Sequence, residues 1–143
     1  MSNLQPDPVA LELNGETRHL LFDFGAIEKI QALYGAHPIL AINSFFWDDK
    51  ENGVSYYRAG AVIDVLKILL DTELSREKFF NGSTHLRTYT RDQIGHIIDR
   101  SNADTVVAAI TQAWTGSMPE PDQEEEPEEE DEESKNLKSG RRK

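Results

Sequence analysis

From Val9 to Leu13 the chain reads V-A-L-E-L, with apolar residues at alternate positions, the period of a strand with one buried face. Asn14-Gly15 follows. That dipeptide favours a type I′ hairpin turn because both central residues need positive φ. Thr17 to Phe22 then reads as the returning strand, so the chain opens with a β-hairpin. A two-residue loop sets Leu11 opposite Arg18, and Leu20-Leu21-Phe22 has no strict alternation, so the pattern leaves the register open.

Beyond the hairpin the period changes to that of helices. Asp23 is placed to accept from the free N–H groups of a first helical turn. Ile27, Ile30, Leu33 and Tyr34 recur at helical spacing, and Gly35 stands where a helix-ending glycine sits, which predicts a short helix over 24–34. Ala36 to Tyr57 is the least legible stretch: Pro38 can start a short helix through Phe46, and Asp48 to Gly53 reads as a polar turn. Tyr56 to Asp71 is the strongest helical pattern. Ala59, Val62, Ile63, Val65, Leu66, Leu69 and Leu70 cover most of its circumference and leave Asp64, Lys67 and Asp71 on one narrow stripe, as in a central helix.

Asn81 to Thr84 marks a loop, and Thr90-Arg91-Asp92-Gln93 is a capping-box pattern at the start of a helix through Arg100 that carries Ile94, Ile97 and Ile98. Ser101 or Asn102 can cap a last helix, with Val106, Val107, Ile110 and Trp114 on its face and Gly116 at its end. Pro119 and Pro121 exclude further helix. The expected fold class is α+β, mainly α: a hairpin and about four to five helices over residues 9–116. Roughly 20 apolar side chains suffice for a core in a domain of about 110 residues. Residues 1–8 are predicted to be a disordered N-terminus. Residues 117–143 are predicted to be a disordered tail, because Glu120 to Glu133 holds no hydrophobic side chain to offset chain entropy and self-repulsion.

Charge refines the picture. Of the formal −11, Met1 to Met118 carries 15 acids against 10 bases, and Pro119 to Lys143 carries 11 against 5. The tail is acidic first and basic over Ser134 to Lys143. A net negative chain repels phosphate backbones, which argues against nucleic acid and toward a protein partner with basic surface. The absence of cysteine excludes disulfides and thiol chemistry and fits a reducing compartment. No apolar run approaches the roughly 20 residues of a membrane span, and Met1 to Pro8 has neither the basic nor the apolar part of a signal peptide. The expected setting is therefore cytoplasmic, with no membrane partner.

Catalytic and metal-binding patterns are sparse. His19, His37, His85 and His96 have no carboxylate or histidine partner at ligand spacing on an evident shared face, which leaves structural or solvated roles. Asp48, Lys50 and Asn52-Gly53 share some spacing with a calcium loop, but lysine stands at the third position and Ala59 at the twelfth, so a solvated turn is the better reading. There is no glycine-rich phosphate loop and no nucleophile elbow. Asn81-Gly82-Ser83 matches a glycosylation acceptor, without the secretory context that would give it meaning. We therefore expect no catalytic residue, no metal and no cofactor. Phe45-Phe46-Trp47 is the one candidate contact site: three adjacent aromatics cannot all face inward from one helical turn, and aromatics are enriched at interface centres.

The stretch Leu11 to Asp23, followed by Phe24-Gly25-Ala26-Ile27-Glu28-Lys29-Ile30, resembles the opening of phage tail assembly chaperones and their gene-transfer-agent relatives. That opening is a strand, an N-G or D-G turn, a strand ending F-D, and a helix with an A-I-x-x-I/L-E pattern. The resemblance extends over about residues 9 to 116 through the order of the later helices, and Ala36 to Tyr57 is longer than the family's compact form. It implies a protein that binds the tape-measure protein, and in many members the tail tube protein, in the host cytoplasm and is absent from the mature virion. It also implies two products in many cases, the longer made by −1 frameshifting. Ser134-Lys135-Asn136 is compatible with a slippery heptamer, A AAA AAC, which would place the acidic run in both products. Self-association, a structural tail or connector component, and an acidic-tailed cytosolic adaptor are the other readings.

Overall fold

The computed structural model describes residues 7–37 and 57–117. The expected short helix from Pro38, the polar turn at Asp48 to Gly53, the Phe45-Phe46-Trp47 cluster and nearly all of the predicted disordered ends lie outside the described residues.

Two strands, β1 (Val9–Leu13) and β2 (Glu16–Leu20), form an antiparallel hairpin. Asn14 and Gly15 turn it with φ of 55° and 78°, the positive values a type I′ turn requires. The register pairs Leu11 with Arg18 and Val9 with Leu20. Residues directly opposite share a face, so Arg18 is carried to the core side with Leu11, Leu13 and Leu20 while Ala10, Glu12, Thr17 and His19 face out. The second strand ends at Leu20 rather than Phe22. Leu21 and Phe22 connect it to the first helix, and Phe22 is buried there, edge-on to the Trp114 ring at 5.2 Å.

Four helices follow among the described residues: α1 (Phe24–Tyr34), α2 (Ala59–Asn81), α3 (Arg91–Ile97) and α4 (Ala103–Ser117). The fold is α+β and mainly α. Asp23 caps α1, its Oδ1 accepting from the Ala26 N–H at 2.8 Å. The box at α3 is complete: the Gln93 N–H donates to Thr90 Oγ1 at 3.1 Å, and the Thr90 N–H donates to Gln93 Oε1 at 2.8 Å. That helix stops at Ile97, three residues before the expected Arg100, because Ile98 takes an extended conformation. The Asn102 side chain then closes the turn by donating to Ile97 O and accepting from the Asp99 N–H, while its backbone carbonyl accepts the Val106 N–H of α4 at 3.0 Å.

Helix α2 is central, as its apolar circumference predicts, and packs against α1, α3 and β2, while α4 packs on both strands. Ala61, Val65, Leu66 and Leu69 of α2 and Val106, Val107 and Ile110 of α4 close the core over Leu11 and Leu20. Its extent corrects the expectation of Tyr56 to Asp71. It starts at Ala59 and runs ten residues past Asp71 to Asn81, ending at Gly82 with φ of 89° and the Gly82 N–H on Lys78 O. The apolar period fades after Leu70, but the helix is carried on by Leu74 in the core and by side-chain bonds from Arg76 to Asp23 and from Thr84 to Glu77.

Candidate functional site

The polar centre of the domain is Arg18, which is fully buried. Strand alternation puts it there, and its guanidinium is matched by acceptors from three parts of the chain. Nε donates to Glu73 Oε1 at 2.7 Å, Nη1 to Arg87 O at 2.9 Å and to Glu16 Oε1 at 3.3 Å, and Nη2 to Leu70 O at 3.0 Å. The Tyr89 ring lies 5.9 Å from the guanidinium carbon, and the Tyr89 hydroxyl donates to Glu16 Oε1 at 3.0 Å. Glu16 also accepts the Arg87 N–H, at 3.1 Å. Burial by itself pushes the Glu16 carboxyl up. The Arg87 N–H, the Tyr89 hydroxyl and the Arg18 charge outweigh it and hold the group below its ordinary value of 4.5.

Glu73 accepts, besides Arg18, the His19 backbone N–H at 3.1 Å and lies 3.2 Å from His19 Nδ1. His19 therefore has a carboxylate partner that sequence spacing could not show, because it arrives from α2. The arrangement ties hairpin, central helix and the connection before α3 together. Each charge in it is answered by a neighbour, and no face of the guanidinium is open to a substrate, so this cluster is a structural clamp. Among the described residues no group of three or more His, Cys, Asp or Glu side chains is placed to hold a metal ion, and no helix is long and apolar enough to cross a membrane.

Surface chemistry is concentrated elsewhere. The last buried residue of α2 is Leu74, and the seven residues from Ser75 to Asn81 carry the helix about 10 Å beyond the core. At this overhang Phe79 is 80% and Phe80 63% exposed, with their rings edge to face at 4.9 Å. The Arg76 guanidinium sits 5.1 Å over the Phe80 ring and reaches Asp23 Oδ2 at 3.1 Å. Next to Asp23 comes Phe24, 88% exposed at the start of α1. Phe79 and Phe80 thus stand beside this ion pair, and Phe24 follows its acid in sequence. Behind Phe80 a groove of about 200 Å³ is lined by Pro8, Leu21, His19, Glu73, Arg76 and Glu77.

A second groove, about 330 Å³ and mostly apolar, lies between the start of α2, the end of α3 and the start of α4, with Tyr57, Val62, Ile63 and Ile98 in its wall. At its edge the Tyr57 hydroxyl donates to Asp104, a bond that raises the Tyr57 pKa, with burial adding to the effect. Asp99, also at this edge, is held below its ordinary value by the Ser101 hydroxyl and backbone N–H.

The predicted contact residues Phe45, Phe46 and Trp47 lie outside the described residues. Sequence reasoning missed Phe24, Phe79 and Phe80. A signal was present for two of them: Phe79 and Phe80 follow the polar run Ser75 to Lys78 and precede Asn81-Gly82, so no apolar stripe continues through them into the core. No protein-family model, no curated protein and no solved structure matches the chain.

Proposed function

We propose that the chain is a phage tail assembly chaperone, a protein-binding factor that holds the tape-measure protein, and in the same pathway the tail tube protein, soluble before the tail polymerises. The observation that carries a binding role is the exposed phenylalanine cluster. With 20 apolar side chains buried among the described residues, the fold has no evident need to hold three phenylalanines 63–88% in water, and solvent-exposed aromatics mark contact sites. The identity of the partner rests on the resemblance of Leu11 to Ile30 to the family's opening, and the element order hairpin, helix, long helix, capped short helix, last helix agrees with it. The acidic run adds solubility to a complex with an association-prone partner, since added Asp and Glu help most.

Co-expression tests the proposal. The gene is expressed with its native downstream DNA and an N-terminal tag, and every tagged product is weighed by intact mass. Recovery of the long downstream gene product in soluble complex with the chain is the expected result, together with a minor species extended past Asn136 in the −1 frame. A downstream product that stays insoluble and uncaptured overturns the chaperone reading. A single species ending at Lys143 removes the frameshift.

A further inference from the structure

Arg76 and the residues around it define more than a sticky tip. Around α2, Glu73, Glu77 and Phe80 follow one another at i, i+4 and i+7 and so share a stripe, the one that faces the groove behind Phe80. Lys78 lies two residues from Phe80, about 200° round the helix, on the opposite side. Arg76, the cation of the groove, is taken up by Asp23 and stacked on Phe80. Glu77 has a hydroxyl partner, Thr84 at 2.5 Å, and no cation among the described residues. Glu28, one turn after Phe24 on α1, is exposed and likewise has no cation partner among the described residues. The C-terminal end of α2 adds the partial negative charge of its last carbonyls at the same place. Around Phe80 the groove is therefore bordered by carboxylates and a helix C-terminus, and its arginine is already paired with Asp23.

We propose that Phe80 and the groove behind it, extended by the exposed Phe24, are the docking surface for an amphipathic helix of a partner protein that carries lysine or arginine beside its apolar stripe. The apolar stripe covers Phe24, Leu21 and Phe80, Phe79 buttresses the Phe80 ring, and the partner's cation meets Glu77. A second copy of this chain is the wrong occupant on charge, since each copy carries −11 and approaches with carboxylates at the same edge. The inference rests on the binding role proposed above and names the chemistry of the partner segment.

The test uses the full chain and two helical peptides of roughly five turns. Both have the same leucine stripe; one is flanked by lysines, the other by glutamates. Affinities are read by fluorescence anisotropy. The lysine peptide binds the native chain, F24S/F80S weakens it by at least about 30-fold, and E77K weakens it by about tenfold. E77K in turn binds the glutamate peptide at least about tenfold better than the native chain does, a charge swap that only direct pairing produces. Equal binding of the lysine peptide by native, F24S/F80S and E77K chains overturns the proposal, because attraction to the acidic run alone is indifferent to these residues. A concentration-dependent dimer in sedimentation that F24S/F80S abolishes overturns it in favour of a second copy. Failure with peptides while the downstream product still co-purifies leaves the chaperone reading standing with another surface. Peptide binding without capture of that product leaves the surface standing and removes the tail partner.

Discussion

Replacing Arg18 by methionine keeps much of the side chain's length and removes its charge and all its donors. Four hydrogen bonds disappear: two to carboxylates and two to backbone carbonyls. The carboxylates left behind are only 11% (Glu73) and 16% (Glu16) exposed, and both had been bonded to the same cation. Glu16 keeps the Arg87 N–H and Tyr89 hydroxyl, and Glu73 keeps His19, so neither is orphaned outright. Breaking a buried pair on one side costs about 3–5 kcal/mol because the surviving charge stays desolvated. A domain of this size has about 5–15 kcal/mol in total. The expected result for R18M is a loss of about 3–5 kcal/mol in urea titrations followed by circular dichroism, with a fall in Tm of at least about 12 °C. R18M/E73L removes the stranded carboxylate and regains part of the loss. A loss under about 1 kcal/mol for R18M, the range of exposed ion pairs, would refute the claim that this network clamps the hairpin to the central helix.

Three further outcomes follow from the same geometry. Glu16 has its folded pKa lowered from 4.5, so folding favours its ionised form. The stability it contributes is present above the unfolded value and lost as pH falls through the folded one, and urea midpoints between about pH 6 and pH 3 should fall less steeply for E16Q than for the native chain. T90A breaks the capping box of α3 and should cost about 1 kcal/mol by the same titration; no loss would show that this short helix is held by Ile94 alone. F24S/F80S touches side chains 88% and 63% exposed, so stability should stay within about 0.5 kcal/mol of native, and a larger loss would mean that these rings serve folding rather than binding.

Local chemistry made much of the fold legible. Asn14-Gly15, Asp23, and Thr90 with Gln93 each act on backbone groups within a few residues, and each does in the structure what its residue type implies. Arg18 shows where such reasoning ends. Alternation and loop length put it on the core face opposite Leu11, yet the acceptors that make its burial tolerable lie 52, 55 and 69 residues away. The extension of α2 past Asp71 was illegible for the same reason: Thr72 to Lys78 has almost no apolar period, and the bonds that hold it come from Asp23 and Thr84. The setting of Phe80 is a tertiary product too, since Arg76 stacks on its ring while pairing with Asp23, 53 residues away.

A tail assembly chaperone, as proposed for this chain, binds tail precursors and leaves before the particle is complete. Quantitative mass spectrometry of the same lysate, before and after particle purification, tests it most directly. The expected result is the chain in soluble complexes with the tape-measure protein and none in the purified particles. A fixed number of copies per purified particle would contradict it and make the chain a structural component of the tail.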